Sequence, residues 1–382
     1  MRYKIVAEKN IERTKYSLTF ILLVFSMFGI GFTTLYSASI HYGNLLFGEP
    51  LYFVLQQLKH FVMALVVMLL FAFLDFSIMR KALPFAMLIS LILCIMTFIP
   101  PLSRESHGAI RWINLGGKIM FQPSEFVKLT LILFLANFFA KNNDKFEYPL
   151  LSILMPFFIV STFTVLIYFE NDFSSSFFIL ALSLTMFFIA GTPLLWFLKG
   201  AIIITPILIL MIFTKDYRIE RILSFLDPTR EPLNSTYQIQ GSLNALASGG
   251  FWGRGLGEGV RKIGSVPYIY SDFVFVAWAE EMGFIGVLSY FSLLLAFAFV
   301  GYRIAINCKD KFGSYVAFGA VSAIVLQSLL NCAVVSKLTP TTGISLPFFS
   351  AGGSSLVVTF AFCGLIINAS GSFVKKRESN ER

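Results

Sequence analysis

A chain of 382 residues that is 57% hydrophobic and 13% charged, with a mean hydropathy of +0.77, lies far outside the soluble range of roughly 45–50% apolar and about 25% charged. That excludes a soluble globular domain and leaves an integral membrane protein. The net charge of +9 argues for a nucleic-acid partner only if the basic residues avoid the span ends, and they do not.

Apolar runs longer than the ~18 residues of a spanning helix, without the alternation of barrel strands, make the fold class an all-α polytopic membrane protein. Arg2, Lys4, Lys9, Arg13 and Lys15 precede the first run, Tyr16 to Tyr36. It ends in Ser37-Ala38-Ser39, which resembles a cleavage site, but it exceeds the roughly 7–15 residues of a signal-peptide core. It is therefore a retained first span with its N-terminus inside. Further runs follow near residues 52–74, 82–100, 124–140, 149–169, 172–191, 195–214, 273–302, 314–336 and 353–370. About ten transmembrane helices result, in a single domain with both termini cytoplasmic.

Arg80, Lys81, Lys141, Lys145, Lys199, Arg303, Lys309, Lys311 and Lys375 to Arg377 then all fall on the inner side, as the positive-inside rule requires. Cys94, Cys332 and Cys363 lie in apolar runs and Cys308 in an inner loop, so no pair is placed for an extracytoplasmic disulfide. His41, His60 and His107 show no metal-ligand spacing.

The extracytoplasmic loops, about 101–123, 215–271 and 337–352, hold the informative polar residues. In the first, which carries Arg111, glycines and Pro123 predict a structured loop dropping back to the bilayer, with Ser124 capping the fourth helix. Glu125 lies in its first turn, favoured there by the macrodipole, and Lys128 shares its face at i+3. An intramembrane pair of this kind is costly unless it meets a cavity or a partner; pinning the loop is the structural alternative. The Glu170-Asn171-Asp172 turn either caps the sixth helix or lines the same outward cavity.

The long loop between the seventh and eighth helices opens on KDYRIERILSFLDP, where Ile219, Ile222, Leu223 and Leu226 recur at helical spacing around Arg218 and Arg221. An interfacial helix follows. Ile239, Leu243 and Leu246 predict a second short helix ending at Gly249-Gly250. Glycines 253, 255, 257 and 259 lack a preceding strand and a Walker lysine, and predict a flexible hairpin rather than a nucleotide loop. Arg261 and Lys262 lead to Asp272, at the outer rim of an eighth helix roughly 45 Å long at ~1.5 Å per residue, against a hydrocarbon core of roughly 30 Å. That carboxylate is a base, a metal ligand or a helix cap. The 337–352 loop, rich in Pro and Gly, has a re-entrant pattern of the kind that lines cavities.

Together these elements suit an anionic amphiphile at the outer leaflet, with Arg and Lys meeting a phosphate headgroup and a rim carboxylate taking a proton from a hydroxyl. A transporter would use Glu125, Lys128 and Asp172 as an ion relay. A scaffold would have no use for buried charge.

The segments GAIRWINLGGKIMFQPSEFVKL, the Asp172 turn, FLDP with YQIQGSLNALASGGFWGRGLGEG, SDFVFVAWAEEMGFIG and TPTTGISLPFFSAGGSSL closely resemble the SEDS family of bacterial cell-wall proteins, which includes FtsW, RodA and SpoVE. Val260-Arg261-Lys262 resembles the FtsW branch. The resemblance implies a ten-helix peptidoglycan glycosyltransferase in the bacterial cytoplasmic membrane, at the division septum, that joins lipid II units into a growing glycan strand. Implied partners are a class B penicillin-binding protein and other divisome membrane proteins; nucleic acid is not among them. The alternatives are a lipid II flippase and a non-catalytic divisome scaffold.

By the same resemblance Asp272 is the catalytic base on the acceptor 4-hydroxyl, and Arg111, Glu125, Lys128 and Asp172 line the substrate cavity. Arg218, Arg221, Arg261 and Lys262 are the expected headgroup ligands. The resemblance fixes no cofactor and leaves a divalent cation (Mg or Mn) open. The sequence departs from the family where Pro-Glu-x-His-Thr-Asp-Phe becomes Pro267-Tyr268-Ile269-Tyr270-Ser271-Asp272-Phe273, and where Ala351 replaces an aromatic.

Overall fold

The computed structural model of the protein describes residues 2–100, 102–106, 109–114, 120–142, 149–226, 234–260 and 266–371. Its helices are α1 (Arg2–Phe47), α2 (Tyr52–Phe73), α3 (Phe76–Met96), α4 (Pro123–Asn142), α5 (Pro149–Phe169), α6 (Phe173–Ile189), α7 (Leu194–Ile212), α8 (Asp216–Leu226), α9 (Asn234–Gly249), α10 (Val274–Asn307), α11 (Lys311–Val335) and α12 (Gly353–Ala369). Each predicted apolar run is occupied by a helix. Seven of these helices, α1 to α4, α7, α10 and α11, carry a stretch long and apolar enough to cross a membrane, while α5, α6 and α12 are shorter apolar helices. Leu22, Val62, Phe85, Phe158, Ile202 and Leu295 point outward and are exposed, an apolar belt suited to lipid rather than water.

The expectation of an all-helical chain is corrected in the first outer loop. There β1 (Ser103–Ser106), β2 (Ala109–Asn114) and β3 (Met120–Phe121) form an antiparallel sheet in the order β1-β2-β3. Ser103 pairs with Ile113, and Ile113 in turn with Phe121. Alternation in AIRWIN drives this strand: Ile113 is fully buried, and Arg111, two residues earlier, shares its face. The Ile110 N–H donates to the Glu170 carbonyl at 3.0 Å, which fixes the sheet to the α5–α6 turn.

The core centres on α11, which is flanked by α4, α6, α10 and α12. Val316, Ala317, Ala320, Val321 and Ile324 are buried along it. Its small residues allow close approach, as at Gly319, where an added Cβ would stand 2.7 Å from both Ile132 and Met186. α12 lies on α2, where the Asn368 amide donates to the carbonyls of Phe71 and Leu74 at 2.8 and 2.6 Å. The four cysteines are free, three of them buried.

α10 is broken at Gly283, whose φ of 62° and ψ of −159° belong to a region open essentially to glycine alone. The predicted flexible hairpin after α9 is instead docked into this break. Arg254 and Gly255 donate their N–H groups to the Glu280 and Glu281 carbonyls at 3.2 and 2.9 Å, and Phe284 donates to the Gly250 carbonyl at 2.9 Å. A Cβ on Gly253 would collide with the Glu281 carbonyl, and one on Gly283 with the Gly253 nitrogen. The glycines thus serve backbone-to-backbone contact. Below them, Ser37 of α1 donates to the buried Glu281 carboxylate at 2.5 Å.

Candidate functional site

The 337–352 loop is re-entrant in form: α11 ends at Val335, and irregular backbone runs to the Gly352 cap of α12. Backbone groups of such a segment need partners, and two polar residues of α11 supply several. Asn331 donates through Nδ2 to the carbonyls of Ile344 and Asp272 at 2.8 and 2.7 Å. Gln327 donates through Nε2 to the Ser345 carbonyl at 2.9 Å. Ser350 accepts from the Leu346 N–H at 2.7 Å and donates to the Ser271 carbonyl at 2.6 Å. The Ala351 N–H reaches the Tyr270 carbonyl at 2.9 Å. These bonds lock the re-entrant segment to the stretch that carries Asp272.

Asp272 lies outside α10, whose cap position is Phe273 and makes no side-chain cap bond. Its Oδ1 accepts from the Ser271 hydroxyl at 2.8 Å. Its Oδ2 lies 3.5 Å from the point where a Cβ on Gly343 would stand, and Arg111 Nη1 lies 3.2 Å from the same point. Carboxylate and guanidinium therefore face one gap. Behind them Tyr270 stacks on Phe53, centroids 4.2 Å apart, and meets Tyr42 at 5.7 Å. Burial, then its tyrosine neighbours and Asp272, raise the Tyr270 phenol above its ordinary value, so it stays neutral at physiological pH.

Arg111 is positioned from the other side by Asp172, 3.8 Å away. Asp172 both caps α6, accepting from the Ser175 N–H at 3.1 Å, and takes hydrogen bonds on Oδ2 from the Ser175 hydroxyl and the Gln122 amide at 2.8 and 3.2 Å. The two readings of this turn hold together. Its neighbour Glu170 is fully buried and accepts from the Thr97 hydroxyl at 3.1 Å. Burial pushes its carboxyl up to about 8, the Thr97 bond opposing and the Asp172 charge adding to the shift.

Glu125 and Lys128 form the expected i,i+3 ion pair at 2.8 Å. Both are buried. Lys128 also donates to Gln327 Oε1 at 3.0 Å and sits 5.0 Å over the Phe178 ring, so the pair braces the residue that holds Ser345. Ser124 lies within α4 rather than at its cap, α4 beginning at Pro123, a residue suited to a first helical turn.

Arg221 reaches the same segment, donating to the Thr341 carbonyl at 3.4 Å. Arg218 does not match the expectation of an open headgroup ligand. It is 5% exposed, donates to Tyr168, Met211 and Thr214 at 2.6 to 2.9 Å, and stacks over Tyr168. Arg261 and Lys262 lie outside the described residues. Gln327, Asn331 and Ser350 are the residues sequence reasoning missed; Gln327 and Asn331, spaced i,i+4 in an apolar run, carried the available signal.

Among the described residues no group of three or more His, Cys, Asp or Glu side chains could hold a metal ion.

The profile of the FtsW, RodA and SpoVE proteins, described as cell cycle proteins, matches residues 17–374. A probable peptidoglycan glycosyltransferase FtsW of Borreliella burgdorferi is 35% identical over 365 residues, covering 96% of this chain and 98% of the relative. Stage V sporulation protein E of Bacillus subtilis is 33% identical, covering 94% and 98%. Among solved structures, a chain of a peptidoglycan synthase complex that coordinates polymerization and crosslinking superposes with a TM-score of 0.75 at 25% identity, covering 92% of this chain and 96% of that one. RodA of Thermus thermophilus shares the fold, with a TM-score of 0.64 at 23% identity, covering 92% and 95%. The chain belongs to the SEDS family, the class of FtsW, RodA and SpoVE proteins. Within that class it falls in the FtsW branch.

Proposed function

We propose that this chain is a peptidoglycan glycosyltransferase that polymerises lipid II into glycan strands at the outer face of the bacterial cytoplasmic membrane during division. The reading takes the chain as ten spans with both termini cytoplasmic, a topology in which the Asp272 gap opens on that face. The observation that carries the reading is the gap itself, with a carboxylate on one side and a guanidinium on the other, beside Gly343. The proton of the acceptor 4-hydroxyl passes to Asp272 Oδ2 while the hydroxyl oxygen bonds to the donor's anomeric carbon. The bond from that carbon to the pyrophosphate oxygen breaks, and the departing charge is met by Arg111 and Arg221. Asp172 aims Arg111, and the Glu125–Lys128 pair, through Gln327, keeps the re-entrant wall in place. A class B penicillin-binding protein is the proposed partner, and the septum with its divisome membrane proteins the proposed site of action.

The test is polymerisation of labelled lipid II by the reconstituted chain, with and without that partner. Asp272→Ala is expected to lower turnover by about 10² to 10⁴-fold, the usual contribution of a general base. Equal polymer from both proteins removes Asp272 from the mechanism. Lipid translocation without polymer under any condition overturns the polymerase reading in favour of a flippase.

A further inference from the structure

Gly343 is not a glycine the backbone demands. Its φ lies outside the left-handed region occupied by Gly253 and Gly283, and an added Cβ would meet only side-chain termini, Arg111 Nη1 and Nη2 at 3.2 and 3.6 Å and Asp272 Oδ2 at 3.5 Å. No main-chain atom is among those nearest neighbours. An L-residue meets no backbone strain of the left-handed kind there; its Cβ presses on Arg111 Nη1, which must give by a few tenths of an ångström, and takes up space beside both the base and the cation. The surrounding groups also carry unused hydrogen-bonding capacity. Arg111 Nε and the hydroxyls of Thr341 and Thr342 are buried and find no partner among the described residues, an unusual state for buried polar groups.

We infer that Gly343 is a positioning residue of the transfer reaction: by lacking a side chain it keeps open the seat in which the acceptor hydroxyl lies against Asp272 Oδ2 while the pyrophosphate lies against Arg111. The inference rests on the polymerase reading and deepens it. A methyl group there stands 3.5 Å from Oδ2, in the approach of the acceptor hydroxyl, and covers part of that oxygen. Desolvation disfavours the charged carboxylate, so the base protonates at higher pH.

The experiment compares wild type, Gly343→Ala, Gly352→Ala and Asp272→Ala as full chains reconstituted with the partner, following lipid II polymerisation across pH. Gly343→Ala is expected to keep the wild-type melting temperature, to lose kcat by about tenfold or more, and to move the acid limb of its pH profile upward. Gly352→Ala, in the same segment but with its nearest neighbour 3.7 Å away at Ser355 Cβ, is expected to behave as wild type. Full activity and an unshifted acid limb for Gly343→Ala, with Asp272→Ala inactive, overturn the inference alone. Activity of Asp272→Ala equal to wild type overturns the reading beneath it. Should Gly343→Ala melt early, Gly343→Cys modified by a small thiol reagent gives the answer. Slower labelling with lipid II supports the seat, and unchanged labelling overturns it.

Discussion

Two irregular segments meet the helix that follows Asp272, and they are held in opposite ways. The 249–255 turn is bound to the α10 break by main-chain hydrogen bonds, and glycine is there because two backbones touch. The re-entrant segment is bound chiefly by side chains, Gln327, Asn331 and Ser350, with one main-chain bond from Ala351 to Tyr270, and its Gly343 stands beside the Asp272 carboxylate and the Arg111 guanidinium. Runs of glycine that look alike in sequence therefore do unlike things: one closes a joint and the other preserves a space. The first should be sensitive to any added Cβ, the second to loss of distant polar groups.

The largest break in that comparison comes from Lys128→Met. It leaves Glu125 buried without its cation and releases Gln327, and is expected to cost about 3–5 kcal/mol. Thermal melting in detergent reads this, and adding Glu125→Gln should restore much of it. Failure of the second change to restore stability means that the brace on Gln327, not the charge, is what mattered. Next is Gly283→Ala. The glycine-only conformation alone is worth of order 1–3 kcal/mol, and the clash with the Gly253 nitrogen adds to it. A melting temperature like that of wild type removes the backbone-joint account of the 249–255 turn.

Asn331→Leu leaves two carbonyls without their donor, at about 1–3 kcal/mol if both remain buried. Compared at equal folded fraction, its polymerisation should fall further than that of Gly283→Ala, because it frees the segment beside Asp272. Equal specific activities would erase the contrast between the segments. The smallest effect is a pH dependence set by Glu170, which lies in neither segment and so supplies a baseline. Its folded-state value, raised from 4.5 to about 8 by burial, means that the folded protein holds the acid form. The stability it contributes is complete below 4.5 and is lost as pH rises through about 8. Glu170→Gln should flatten the fall in melting temperature across that window, and an unchanged slope assigns the fall to other groups.

Much of this was legible in the sequence because the signals were local. Apolar run lengths placed the membrane helices, i,i+3 spacing predicted the Glu125–Lys128 pair, and a carboxylate ahead of Ser175 predicted the α6 cap. What escaped depends on distant backbone. Nothing near Gly253 reveals that Gly283 will offer it a broken helix, and nothing near Gly343 reveals Arg111 across the gap. The outer sheet escaped because glycines and Pro123 dominate its loop and hide the alternation of AIRWIN. Arg218 misled because an amphipathic stripe fixes which face a side chain leaves from, not that Tyr168 and the end of α7 wait to cover it.

The break at Gly283 has a mechanical consequence. It divides α10 into a short rod, Val274 to Met282, and a longer one continuing to Asn307. The 249–255 turn splints both rods, accepting from the Phe284 and Ile285 N–H groups and donating to the Glu280 and Glu281 carbonyls, and the short rod is tied at its head to the re-entrant segment. Main-chain bonds on both sides of the break make it a clamped elbow, so the direction of the longer rod and the position of the segment ahead of Val274 are set together.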